Sequence, residues 1–155
     1  MLTHKGLATE EYPVLEDDAA IPAAGYVTVS LGRYLAEHEQ WTSEQRTRVA
    51  VQVDPDEDVE ALRPVFAKTN AVFFRFSKMG DGRPFTQARL LRKRLAYRGQ
   101  IFARGPLIAD QFNFLVRCGF DGAEVSDPVQ PEVWARALKQ HRHHYQPDPG
   151  KLAAH

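Results

Sequence analysis

Ala71-Val72-Phe73-Phe74-Arg75-Phe76 is the most continuous apolar run of this 155-residue chain, and it opens directly onto Ser77-Lys78-Met79-Gly80-Asp81-Gly82-Arg83. A strand with so little polar alternation suits the middle of a parallel sheet covered on both faces. Outward from it, similar short runs lie at 26–31 (YVTVSL), 49–53 (VAVQV), 100–103 (QIFA) and, more weakly, 122–125 (GAEV), at intervals of 22 to 29 residues. Each of these strands is followed by a segment with helical spacing, so the chain predicts repeated βα units. Right-handed crossovers between such units give one three-layer α/β domain with a mainly parallel sheet of about five strands, as an open sheet or a partial barrel. Both closures put ligand-binding loops at the C-terminal strand ends, here after Val53, Phe76, Ala103 and Val125.

The helical signals are of unequal strength. Asp54-Pro55-Asp56-Glu57 has the form of a helix start, with a capping Asp, Pro in first position and an acid three residues on. Pro64 should kink or end that helix. Thr86 reads as the N-cap of a helix over 87–96, with Leu90, Leu91 and Leu95 facing the core and Arg92, Lys93 and Arg94 exposed. Residues 106–118 predict another helix, with Ile108, Phe112, Leu115 and Cys118 on one face and Gly119 as its C-terminal cap. A last helix is expected over 131–143, with Val133, Trp134, Ala137 and Leu138 on its apolar side. The single domain therefore spans 21–146, between a loosely ordered segment 1–20 and a flexible tail 147–155.

Formal neutrality, 20 basic against 20 acidic residues, conceals a separation of charge. Residues 1–70 hold 6 basic and 13 acidic residues, whereas 71–117 hold 10 basic and 2 acidic. A domain polarised in this way presents a cationic face to anions or to acidic partner surfaces. The positive charge is spread over several elements with few aromatic residues among it, so nucleic acid is not an expected partner. One cysteine excludes an internal disulfide and a cysteine-rich metal or iron-sulfur site. No apolar run is long enough to cross a bilayer and residues 1–20 do not resemble a secretory signal, so a cytoplasmic location without a membrane partner is expected. His141, His143 and His144 lie together near the C-terminus, but with no further ligand nearby no metal is assigned. GxGxxG, GxxxxGK[ST] and GxSxG are all missing, and neither cofactor nor catalytic residue can be named.

The candidate site follows from the strand ends. Gly82 can turn the loop sharply, and free N–H groups at a helix starting from Thr86, with Arg83 and Arg89, suit a small anion such as sulfate, phosphate or a carboxylate. Alternatively, Asp81 and Arg83 pair with each other and only fix the loop. Asp110-Gln111 is expected one turn inside the following helix, where Asp110 would pair with Arg83 or Arg104 as a structural tie, with general acid–base work as the alternative. The candidate anion- or partner-binding set is thus Asp81, Gly82, Arg83, Thr86, Arg89, Arg104, Asp110 and Gln111. Cys118 reads as a small buried residue, not a nucleophile.

Asp81-Gly82-Arg83, Phe85-Thr86-Gln87-Ala88-Arg89-Leu90-Leu91-Arg92, Asp110-Gln111 and Arg117-Cys118-Gly119-Phe120 together resemble a bacterial family of unknown function that carries the label "probable oxidoreductase involved in sulfite reduction". The label rests largely on genes neighbouring those of sulfate assimilation. The resemblance implies an accessory protein of assimilatory sulfite reduction, with a pathway protein or a small anion as partner. A cofactor-dependent oxidoreductase and a non-catalytic scaffold for an acidic protein are the alternatives. This chain departs from the family pattern at Pro84 and Thr86, where Gly and Ser are usual, and at Gln100, Phe102, Pro106 and Ala109, where charged residues are usual.

Overall fold

The computed structural model describes residues 1–3, 6–7, 10–124, 132–133 and 136. Two short strands, β1 (Leu2–Thr3) and β2 (Gly6–Leu7), precede β3 (Val27–Ser30), β4 (Val49–Val53), β5 (Ala71–Arg75), β6 (Gln100–Arg104) and β7 (Gly122–Glu124). They form one sheet in the order β2-β1-β7-β6-β5-β4-β3. All neighbours from β3 to β7 are parallel, and β1 joins β7 antiparallel. The sheet is open, so of the two expected closures the partial barrel does not apply. The apolar run around Phe74 lies at the centre of the five parallel strands, as its composition predicts.

Strictly sequential parallel order with right-handed crossovers carries every crossover over the same face of the sheet. Packing agrees with this. Tyr34, Leu62, Leu91, Phe112 and Leu115 from the helical segments share one core with Val29, Val51, Phe74, Ile101 and Ala103. Alternate strand residues Ala50, Ala71, Phe73 and Phe102 form a second, smaller core on the other face, where Met1 and Tyr12 pack against them. The third layer is thus an N-terminal segment instead of a second row of helices. That segment is tied down: Thr28 N donates to Pro13 O at 2.8 Å and Leu15 N to Thr28 O at 2.8 Å. Arg33 donates to the carbonyls of Glu16 and Ala19, and Ser30 Oγ to Asp17.

Helix α1 (Leu31–Glu37) starts straight from β3, with Ser30 Oγ accepting from Arg33 N. Helix α2 (Ser43–Arg48) carries a full capping box from Thr42 and Gln45. The expected helix at Asp54 does not form, because the Asp54 carboxylate is taken by Arg75 and Gln52. A 3₁₀ helix, Val59–Lys68, begins instead behind Asp58, which accepts from Glu60 N, and it contains Pro64. Helix α3 (Arg83–Arg89) continues as a π-helical turn, Leu90–Arg94. Helix α4 (Phe112–Cys118) follows a short 3₁₀ turn, Ala109–Gln111.

Residues 106–108 are therefore not helical. Ile108 has extended backbone and is 44% exposed, outside the expected apolar face. The cause is local, since Gly105 at φ +122° lies against the Phe76 carbonyl and turns the chain away before helix can start. Gly119, at φ +103°, does cap α4 as expected. The tail, the histidine cluster and most of the expected helix at 131–143 fall outside the described residues. No helix among the described residues is long and apolar enough to cross a membrane.

Candidate functional site

The loop between β5 and α3 is organised by Asp81, whose side chain is almost fully buried. It accepts from Ser77 Oγ at 2.8 Å, from Arg83 N at 3.2 Å, from Arg83 Nε at 3.0 Å and from Arg83 Nη2 at 2.9 Å. The Arg83 guanidinium, helped by the Ser77 hydroxyl, holds the Asp81 carboxyl far below the usual carboxylate range. Thr86 is not the N-cap: that position is held by Gly82, which has no side-chain capping bond, and Asp81 just before it accepts from the first helical N–H, that of Arg83. The helix begins at Arg83, four residues early, and Thr86 is an interior residue whose N–H donates to Gly82 O. Gly82 sits at φ −82°, and the positive φ of the loop belongs to Gly80 at +88°. Pro84 suits this start, since a proline in the first turn loses no helical hydrogen bond.

Beside this loop, Pro55, Gly82, Arg83, Thr86 and Gln87 border a shallow cavity of about 530 Å³. Gln87 Nε2 donates to the carbonyls of Asp54 and Glu57, which ties α3 to the segment after β4. Burial pushes the Glu57 carboxyl up, against the backbone hydrogen bond that it accepts from Asp54.

Arg104 is not part of this loop. Alternation along β6 puts Ile101 and Ala103 on the helical side, and Arg104 with Phe102 on the other. There a cross-strand row runs Arg75, Arg104, Glu124 in register. Arg75 grips Asp54 with both ends of its fork, at 2.7 and 2.8 Å, which holds the Asp54 carboxyl low. Arg104 binds Glu124 at 2.6 Å, Gln52 at 3.2 Å and the Tyr12 carbonyl at 2.5 Å, with its guanidinium 4.3 Å from the Phe73 ring centre. Two adjacent arginines on neighbouring strands would repel, and the flanking carboxylates offset that. Sequence reasoning missed Arg75, although its place two residues beyond Phe73 gave its face.

Asp110 is exposed and pairs with neither Arg83 nor Arg104, whose carboxylate partners are Asp81 and Glu124. Gln111 Oε1 accepts from Ile108 N and stabilises the turn into α4. Arg92, expected on the surface, is instead a clamp. Its guanidinium donates to the carbonyls of Gly119, Tyr97 and Gly99 and to the Asp121 carboxylate. Arg89 does stand exposed on α3, and Arg117 is exposed on α4. These two and Lys93 all act electrostatically on the Cys118 thiol, which burial pushes up and which they pull down. All three cations act on Cys118 from α3, the π-helical turn and α4, while the thiol itself is buried beneath the outer helical face. At the strand C-terminal end of that face, Phe114, 46% exposed, packs its ring 4.7 Å from Phe85. At the opposite end lies a cavity of about 760 Å³ bordered by Lys93, Arg98 and Tyr97 among others. Among the described residues no group of three His, Cys, Asp or Glu side chains could hold a metal ion.

A family model described as bacterial protein of unknown function (DUF934) matches residues 50–154. The chain belongs to this family. The match runs from β4 through β5, α3, β6, α4 and β7, so it includes both the Asp81 loop and the cationic helical face. No curated protein matches the chain. Of the positions where the resemblance implies charged residues, Phe102 is buried beside Phe73 and Tyr12, while Gln100 and Pro106 are exposed.

Proposed function

We propose that this protein is an accessory factor of assimilatory sulfite reduction that acts by holding an acidic partner protein on the face formed by α3 and α4. The observation that carries the docking role is the exposed pair Arg89 and Arg117. They come from two different helices and form no ion pair among the described residues, although most arginines elsewhere in the fold are tied to carboxylates or carbonyls. Exposed cations left without internal partners favour oppositely charged surfaces and speed encounter with them. The loop of Asp81 is a poorer place for a small anion, because Arg83 is already neutralised by Asp81. The pathway is supported by the resemblance carried by Asp81-Gly82-Arg83, Asp110-Gln111 and Arg117-Cys118-Gly119-Phe120.

Deleting the gene tests the pathway. Growth on sulfate as sole sulfur source should slow and growth on cysteine should not, and the intact gene, but not Arg89→Glu with Arg117→Glu, should restore it. Equal growth of the deletion strain on both sulfur sources would overturn the reading.

A further inference from the structure

Resting on that docking role, we propose that the occupant of the α3–α4 face is an acidic helical segment of the partner, with an apolar anchor at one end. The face has a direction. Phe85 and Arg89 follow one another at i and i+4 on α3, and Lys93 stands four residues on, in the π-helical turn that continues it. On α4, Phe114 and Arg117 stand at i and i+3, on the same outer side. The ring contact of Phe85 with Phe114 brings the two helices together at the strand C-terminal end, and the exposed Arg89 and Arg117 each follow about one turn further along.

Chemistry changes in the same order. Phe85 is anchored from beneath by Phe76 and Phe120, so the aromatic chain runs from the core to the surface and stops at the exposed Phe114 ring. That is an apolar platform fixed by its own packing. Cations come one turn later, and Arg98 continues them at the rim of the cavity beyond Lys93. A ligand matching this stripe places a Leu- or Phe-sized side chain over the rings and carboxylates at successive turns towards the cavity. An amphipathic helix supplies that periodicity through i, i+4 and i+8 positions. A bare anion would leave the Phe85–Phe114 platform unused, and a purely apolar segment would leave Arg89 and Arg117 facing no charge.

A photo-cross-linking residue at position 114 of the full chain, in cells growing on sulfate, tests this. The expected product joins this protein to a second protein through a peptide with carboxylates spaced three or four residues apart. Arg89→Glu with Arg117→Glu should lower its yield roughly tenfold, as loss of close interfacial charge pairs does. Arg89→Lys with Arg117→Lys should retain most of it, which separates loss of charge from loss of fold. A product internal to the chain, a product between two copies, a yield unchanged by charge reversal, or no product would each overturn the inference. An acidic helical peptide from a protein outside sulfur assimilation would uphold the docking surface and remove the sulfite pathway. A growth defect on sulfate without any acidic cross-linked peptide would do the reverse.

Discussion

Arg92 and Asp81 show how far a charged residue's role depends on backbone that sequence spacing does not describe. Arg92 follows Leu91 on a helix and looks solvated, yet its guanidinium closes three carbonyls and a carboxylate at the start of β6 and β7. Arg92→Ala removes a donor from each of those groups, with Asp121 keeping the bond from Ile101 N, and urea unfolding should show a loss of about 3 kcal/mol. Arg92→Lys should recover less than half of it, since one ammonium cannot span the fork. Asp81 was legible as a loop-fixing partner of Arg83 because the two flank Gly82 in a turn motif. Its carboxyl is held low in the folded state, so the stability it contributes is complete above the unfolded carboxylate pKa of about 3.9 and fades as pH falls towards the folded value. Urea unfolding at pH 7 should therefore find Asp81→Asn less stable than the parent, and the gap should narrow at pH 3. An equal gap at both would show that the ionised carboxylate is not what fixes the loop.

Elements were legible where pattern and packing agree. β-Branched runs gave all five parallel strands to within a residue or so at each end, because each is apolar and bounded by turn residues. Gly119 was legible as a cap because a left-handed residue was needed and nothing else competed for it. Helix starts were not, because several oxygens compete to cap them. Thr86 has the right chemistry, but Asp81 reaches Arg83 N first, and Asp54 is drawn off by Arg75. The two assignments of α3 differ in a measurable way. Removing a true threonine cap costs about 1 kcal/mol, whereas an exposed interior threonine costs little, so Thr86→Ala should change unfolding by less than about 0.5 kcal/mol. Gly119→Ala should cost about 1 to 2 kcal/mol or more, since the residue is at φ +103° and the new Cβ would lie 2.5 Å from Arg92 Cγ.

At the scale of the whole molecule, the layer opposite the helices is the part least readable from sequence. Repeated βα units predict helices, but nothing in them states that the sequential strand order leaves one face without any. The chain covers that face with its own N-terminal residues, and Tyr12 is the centre of the cover. Its ring packs 4.7 Å from Tyr26 and 5.2 Å from Phe73, and its carbonyl accepts from Thr28 and Arg104. Tyr12→Ala should uncover Phe73 and Phe102, cost about 2 kcal/mol and raise binding of a hydrophobic dye. Burial, with the neighbouring Tyr26 and Glu10, pushes the Tyr12 phenol up to about 12. A raised pKa means stability that is whole below the unfolded value of about 10 and is lost as pH climbs through the folded one. Tyr12→Phe keeps the stacking and has nothing to ionise. Its stability relative to the parent should therefore improve by about 1 kcal/mol between pH 8 and pH 11. An unchanged difference between those two pH values would mean that the Tyr12 ring is open to solvent and that the N-terminal segment does not seal the sheet.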